Sequence, residues 1–283
     1  MAQVQLSAGT VDYQDSGGEG PVVVLLHGVA MDGTLWRNVV PLLTPDYRVV
    51  VPTLPLGGHR TPMREDADLS VAGVAGLVAE FLEALDLRDV ALGVNDWGGA
   101  LALVALGRHD RIGRLVITSC EAFENYPPGL PGSNLVTSAK MPGGLGVAFG
   151  LLKLKPMRRL PMTWGWMCKR PVAHEVMDEW FRPVWTNPEV RRDLRKYVLG
   201  VPPKDELLRW TDALAKFTGP ALVAWAAEDK VMPPEHGRRL AEILPDSRHV
   251  EIPDSYTLIP EDQPQVLAEH IRSFLLETAS GGS

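Results

Sequence analysis

The stretch with the most chemical promise is Gly93-Val94-Asn95-Asp96-Trp97-Gly98-Gly99. An apolar run, Val90 to Val94, precedes it, and a small-residue segment, Ala100 to Leu106, follows with helical character. A strand, a sharp turn backed by glycines and then a helix is the setting of a nucleophile elbow, which lifts one side chain above the end of a sheet strand. Glycines beyond the tip let the turn close and the helix pack near the sheet. The residue at the tip is Asp96. The Gly-x-Ser-x-Gly form carries serine there, so this stretch is either an elbow with a different nucleophile or no catalytic elbow. An aspartate also serves commonly as a helix N-cap, which is the competing reading.

Positioning such a residue requires a sheet. Val22 to Leu26, Tyr47 to Val51, Val90 to Val94 and Leu115 to Ser119 are apolar runs of the kind buried on both faces of a parallel sheet. Val4-Leu6 and Thr10-Tyr13 alternate and read as edge strands. Helical spacing separates the runs, over about Thr34 to Leu43 and over Ser70 to Leu85 with Ser70 as N-cap. The pattern predicts an α/β fold, a mostly parallel sheet flanked by helices, with ligands bound beyond the carboxyl ends of the strands. The rhythm breaks at Glu121 and resumes at Pro220-Ala221-Leu222-Val223-Ala224-Trp225 and His249-Val250-Glu251-Ile252, with helices over about Glu235 to Leu244 and Pro264 to Glu277. The expected division is a core of residues 1–120 and 217–283 with an inserted helical cap, 121–216, rich in tryptophan and proline. Six basic residues between Lys153 and Arg170 read as a solvated helix face, with an anion-binding patch as the alternative. Ser280-Gly281-Gly282-Ser283 reads as a flexible tail.

The formal net charge of -7 argues against non-specific binding to nucleic acid or anionic membranes. No apolar run reaches the ~18 residues that span a bilayer, and the N-terminus lacks a secretory pattern. Cys120 and Cys168 have neither disulfide-framework nor metal spacing, so a reducing, cytoplasmic setting is expected, with no cofactor and no metal. The partner implied is a small apolar substrate, and the chain is expected to be a monomer or homodimer.

Taken together, the chain resembles the α/β-hydrolase superfamily and, within it, the haloalkane dehalogenase-like branch. The resemblance rests on His27-Gly28 after a strand, Asn95-Asp96-Trp97-Gly98-Gly99 at the elbow, and Glu228-Asp229-Lys230-Val231-Met232-Pro233 after a late strand. It implies that Asp96 attacks a carbon bearing a leaving group, and that water activated by a histidine hydrolyses the resulting ester. An aspartate suits this because it is ionised at neutral pH. It further implies a leaving-group role for the Trp97 indole, with core packing as the competitor, and an oxyanion hole from the backbone N–H groups of Trp97 and Val29. Asp229 matches the acid that supports the base, and Glu121 matches the acid position of another branch.

One element of that pattern is missing. The histidine should stand seven residues before the proline that opens the last helix, and Pro253-Asp254-Ser255-Tyr256-Thr257-Leu258-Ile259-Pro260-Glu261-Asp262-Gln263-Pro264 puts Thr257 there, beside Tyr256. Neither side chain is a general base near neutral pH. Of the seven histidines, His27 reads as structural, and His59, in the loop after the Tyr47-Val51 strand, is the remaining one that could reach a pocket. His109, His174 and His236 read as exposed, His249 starts a strand, and His270 lies in the final helix. Val29 also stands where dehalogenases often carry a second halide donor, and epoxide hydrolases use cap tyrosines, for which the cap offers Tyr126 and Tyr197. The readings left open are haloalkane- or epoxide-type hydrolysis slowed by the absent base, a non-hydrolytic enzyme using Asp96 as acid or base with Tyr256 as proton partner, and a binding protein without chemistry.

Overall fold

The computed structural model describes residues 1–280; residues 281–283 of the expected tail lie outside the described residues. Among the described residues eight strands form one sheet: β1 (Ala2–Leu6), β2 (Gly9–Asp15), β3 (Val22–Leu26), β4 (Arg48–Pro52), β5 (Val90–Asp96), β6 (Ile112–Cys120), β7 (Ala221–Ala226) and β8 (Ser247–Ile252). Their order is β1-β2-β4-β3-β5-β6-β7-β8. β1 pairs antiparallel with β2, and β2 antiparallel with β4, while the other pairs are parallel. The continuous apolar runs sit in the middle of this order, where helices cover both faces. β5 is buried along its whole length.

The helices are α1 (Val40–Leu43), α2 (Val71–Ala84), α3 (Ala102–Ala105), α4 (Gly129–Lys140), α5 (Gly144–Leu151), α6 (His174–Thr186), α7 (Pro188–Leu199), α8 (Lys204–Asp212), α9 (Pro234–Ile243), α10 (Ile259–Asp262) and α11 (Pro264–Ser280). Ser70 caps α2 as expected, its hydroxyl accepting the Gly73 N–H at 3.1 Å. The single helix expected over residues 34–43 is instead a 3₁₀ turn, Gly33–Trp36, followed by the short α1. Pro41 stands in the first turn of α1, where its missing N–H costs nothing. Helices α4 to α8 all fall between β6 and β7.

Five of the six residues of the basic cluster are exposed, as expected of a solvated face, and Arg158 is the exception. Arg158 is buried, donating to Leu152 O and pairing with Asp178, and Lys169 pairs with Glu228 and Asp254. His236 is buried rather than exposed, packed edge-on against Phe123 at 5.0 Å. No helix among the described residues is long and apolar enough to cross a membrane.

Candidate active site

β5 carries Asp96 to its carboxyl end, and the pairing with β6 slips between Val94 and Asp96. Asp96 has a φ of 63°, a left-handed conformation that a side-chain-bearing residue adopts only when its surroundings enforce it. The close approach of neighbouring backbone explains two of the glycines. A Cβ on Gly98 would stand 1.8 Å from Glu121 O, and one on Gly28 would stand 2.1 Å from Asp96 Oδ2. Asp96 is not a helix N-cap. The 3₁₀ turn after the elbow, Gly99–Leu101, is preceded by Gly98, and the Asp96 carboxylate turns the other way to accept the Val29 N–H at 3.0 Å. Burial pushes the Asp96 carboxyl up to about 7, the Val29 N–H pulls it down, and the nearby Asp229 raises it further, so it is only partly ionised at neutral pH, against the full ionisation expected from the sequence.

Asp96 and Glu121 lie in the wall of a cavity of about 830 Å³ including its mouth. The rest of that wall is mostly apolar and comes from both sides of the molecule: Val29 and Met31 from the loop after β3, and residues such as Leu135, Phe149 and Trp164 from the segment between β6 and β7. Tyr126 and Tyr197, which the sequence left unplaced, both reach it. The Tyr126 hydroxyl donates to Val198 O at 2.9 Å. Burial raises the Tyr197 hydroxyl well above its usual value, with Glu121 and Asp96 adding to the effect, so it stays protonated.

Glu121 follows the last residue of β6. Its carboxylate accepts the Gly98 N–H at 2.7 Å, and its own N–H donates to Asp96 O at 3.1 Å. Burial, then the charge of Asp96, raise its carboxyl to about 8. Asp229, beyond the end of β7, does not line the cavity. Its Oδ1 accepts from Val231 N–H and Met232 N–H, both at 2.9 Å, and from the Thr257 hydroxyl at 2.7 Å. Its Oδ2 is buried without a partner, and burial raises its carboxyl despite the donors. Thr257 thus sits fully buried against Asp229.

The structure brings Asp96, Glu121 and Val29 together in the cavity and places Asp229 and Thr257 just behind them. Four expectations move. The Trp97 backbone N–H donates to Asn95 O at 2.7 Å and is not free for an oxyanion hole. Its indole is fully buried outside the cavity wall, where it occupies the space that a Cβ on Gly99 would need, and its Nε1 has no hydrogen-bond partner. His59 is also buried away from the cavity, with Nε2 3.2 Å from Asp193 Oδ2. Asp193 on α7 is fully buried; burial alone raises its carboxyl, but His59, the Met63 N–H and Arg192 hold it below the usual range. Satisfying that acid fixes His59. Tyr256 does not line the cavity; Lys230 sits 4.6 Å over its ring, and its N–H donates to Asp262.

His27 has the structural role expected of it. Its Nδ1 donates to Gly28 O and its Nε2 accepts the Leu54 N–H, both at 2.8 Å, and burial lowers it to about 4, so it is neutral. None of the histidines lines the cavity. Sequence reasoning missed Asn95, whose buried amide donates to Thr118 Oγ1 at 2.9 Å and Thr257 O at 2.8 Å, tying the elbow strand to the late loop. An amide one residue before the tip carries no signal of such a distant partner.

The family described as the alpha/beta hydrolase fold matches residues 21–264. The chain belongs to that family. It is 35% identical to a haloalkane dehalogenase of Mesorhizobium japonicum over 112 residues, 39% of this chain and 36% of that protein. Along almost the full length, 94% of this chain and 92% of the relative, it is 27% identical to a cis-3-alkyl-4-alkyloxetan-2-one decarboxylase of Xanthomonas campestris. Among solved structures, the haloalkane dehalogenase DbeA from Bradyrhizobium elkani superposes with a TM-score of 0.78 at 18% identity, covering 99% of each chain. The protein is therefore an α/β-hydrolase-fold enzyme related to haloalkane dehalogenases.

Proposed function

We propose that the protein opens a small apolar electrophile by attack of Asp96 on carbon, forming an ester that water then cleaves. The observation that carries this reading is the Asp96 carboxylate, held at a left-handed turn on one N–H donor and facing an apolar cavity. The segment between β6 and β7 acts as the cap that closes this cavity over Asp96. In the first step an Asp96 oxygen bonds to the substrate carbon, and the leaving atom departs with the bonding pair. In the second, hydroxide adds to the ester carbonyl. The Val29 N–H then faces the oxygen on which charge develops. Val29 has no side-chain donor, and the Trp97 indole is turned away. An oxygen leaving group, as in an epoxide, therefore fits better than a halide, with the protonated Tyr197 hydroxyl as its donor. Thr257 occupies the place of the histidine that would activate water, and Asp229 is bound to it rather than to a base. Two free, buried cysteines, Cys120 and Cys168, fit the cytoplasmic setting expected from the sequence.

A second reading draws on the same two acids. With Asp96 raised to about 7 and Glu121 to about 8, the pair could move protons on a bound substrate without any covalent step. That matches the distant likeness to a decarboxylase. A purely binding role fits less well, since a strained turn and two buried carboxyls cost stability that an apolar pocket alone does not require.

The test is to incubate the protein with a panel of epoxides and haloalkanes and to follow diol, halide and the mass of the Asp96 peptide. Diol formation with a transient mass gain on Asp96 is expected. If no diol, no halide and no adduct formed across the panel, the covalent reading would be overturned.

A further inference from the structure

Glu121 lines two cavities. One is the apolar chamber that it shares with Asp96. The other lies behind the elbow, about 530 Å³ including its opening, bordered by Gly98, Gly99, Asn125 and Thr211. Glu121, Tyr126 and Tyr197 line both, so they form the partition between them. Asp229, by contrast, lines neither. The second cavity reaches the elbow from the side of α3 and α8, without passing the apolar chamber.

We infer that Glu121 is the base that activates water against the Asp96 ester, with the second cavity as the path by which that water arrives. This rests on the covalent reading of Asp96. Glu121 is fixed for such a task from two directions: its carboxylate accepts the Gly98 N–H at 2.7 Å, and its backbone N–H donates to Asp96 O at 3.1 Å. The protons balance as follows. When an epoxide opens, the C–O bond breaks toward oxygen, and the ring oxygen takes the proton of the Glu121 carboxyl, relayed through the Tyr197 hydroxyl. Glu121 is then a carboxylate. It removes a proton from water as the hydroxide adds to the ester carbonyl. The tetrahedral intermediate expels the alcohol oxygen, which takes that proton back. The carboxylic acid left on Asp96 then passes its proton to Glu121, which restores the starting state with one epoxide and one water converted to one diol.

The surroundings of Glu121 drive this alternation. The titratable groups about it are Asp96 on β5, Cys120 on its own strand, Tyr126 and, on α7, Tyr197. Burial keeps both tyrosines and the thiol neutral, so the Asp96 charge is the electrostatic contribution that changes in the cycle. Burial, and then that charge, raise Glu121 and keep it protonated while Asp96 is the nucleophile. Esterification removes the charge, and Glu121 then ionises more readily at the step that needs a base.

The experiment uses the full chain with styrene oxide as probe, comparing wild type and Glu121→Gln by intact-protein mass spectrometry after a single-turnover mix, from pH 5 to pH 9. Glutamine retains an acceptor for the Gly98 N–H, and circular dichroism checks that the variant is folded. The expected result is an adduct on Asp96 that persists ~10²–10⁴-fold longer in the variant, the range that general-base help supplies. In the wild type, release should rise with pH through an inflection below about 8, because the ester has removed the Asp96 charge. Equal release rates in the two proteins would overturn the assignment of Glu121 while leaving Asp96 in place. A flat wild-type profile over that range would do the same even if the variant failed to fold. Absence of adduct and of diol from both folded proteins would overturn the covalent reading itself, and this inference with it.

Discussion

Asp96 and Asp229 stand at the same edge of the sheet, at the ends of β5 and β7, and their carboxylates have been put to opposite uses. Asp229 takes three donors on one oxygen, from Val231, Met232 and Thr257, and lies outside the cavity wall. Asp96 takes one donor, from Val29, and its carboxylate faces an apolar chamber. Both are raised by burial, but only the second is raised where a substrate can reach it. Three donors on one oxygen let Asp229 organise a loop even though its Oδ2 is unpartnered, while Asp96, with a single donor, is left open to the cavity. The difference lies in the neighbours rather than in the residue type, so it can be broken by changing either the acid or its partners.

The largest effect is expected from Asp96→Asn. On the covalent reading proposed above, loss of the Asp96 carboxylate should cut turnover by about 10⁴-fold or more, the scale seen when a covalent group is deleted, with no adduct forming. The same variant should be more stable than wild type at pH 8. An acid raised to about 7 in the fold binds its proton more tightly folded than unfolded. The Asp96 contribution to wild-type stability is therefore greatest below about pH 4, where both states are protonated, and falls as pH rises toward 7. Asparagine removes that fall, a gain on the order of 1–3 kcal/mol above pH 7, readable as a change in the slope of Tm against pH. A variant whose Tm tracked wild type at every pH would show that Asp96 carries no burial penalty.

Thr257→His would turn the Asp229 side of the comparison back toward catalysis. It gives Asp229 an imidazole to orient, in the loop that Asn95 ties to the elbow. The expected result is ester release faster by roughly 10²-fold or more, following the imidazole's own titration, against about 1–3 kcal/mol of stability lost to overpacking at a fully buried site. Unchanged release in a folded variant would mean that the late loop does not aim its side chain at the ester.

Thr257→Val tests the structural half alone. It keeps the shape and removes the hydroxyl that donates to Asp229 at 2.7 Å. A loss of about 1–2 kcal/mol in denaturant unfolding is expected, with the rate of ester formation on Asp96 within a few-fold of wild type. A large drop in ester formation would show that the two acids are coupled more tightly than their separate environments suggest.

The same contrast separates what the sequence disclosed from what it did not. The fold was legible because runs such as Val22–Leu26 and Val90–Val94 signal a buried parallel sheet without any long-range information, and the elbow glycines mark a close turn. Asp96 and Glu121 were legible as strand-end residues of that sheet. The fates of His59, Tyr256 and Trp97 were not, because each is decided by a partner far along the chain or by a rotamer. Asp193, 134 residues after His59, claims its imidazole, and a tight turn sends the Trp97 indole over Gly99. The reach of Tyr197 into the cavity likewise depends on how α7 packs, which local spacing does not encode.

Trp97 supplies the smallest expected effect and the finest test of the contrast. Its Nε1 is a buried donor with no partner, yet the indole does not line the cavity. Trp97→Phe removes a buried N–H that makes no hydrogen bond of ordinary geometry and acts only on the Tyr197 hydroxyl, so the polar part of the change should be small, while the lost ring area should destabilise the fold. The net change expected is within about 1 kcal/mol. If the leaving group is an oxygen protonated from the Glu121 side, epoxide turnover stays within a few-fold of wild type. The ring's edge-to-face contact with Tyr197, at 6.5 Å, is kept in part by phenylalanine. A selective loss of ~10²-fold or more on a haloalkane, with epoxide turnover intact, would show that the indole swings to meet a halide, and that the carboxylate chamber serves two kinds of leaving group rather than one.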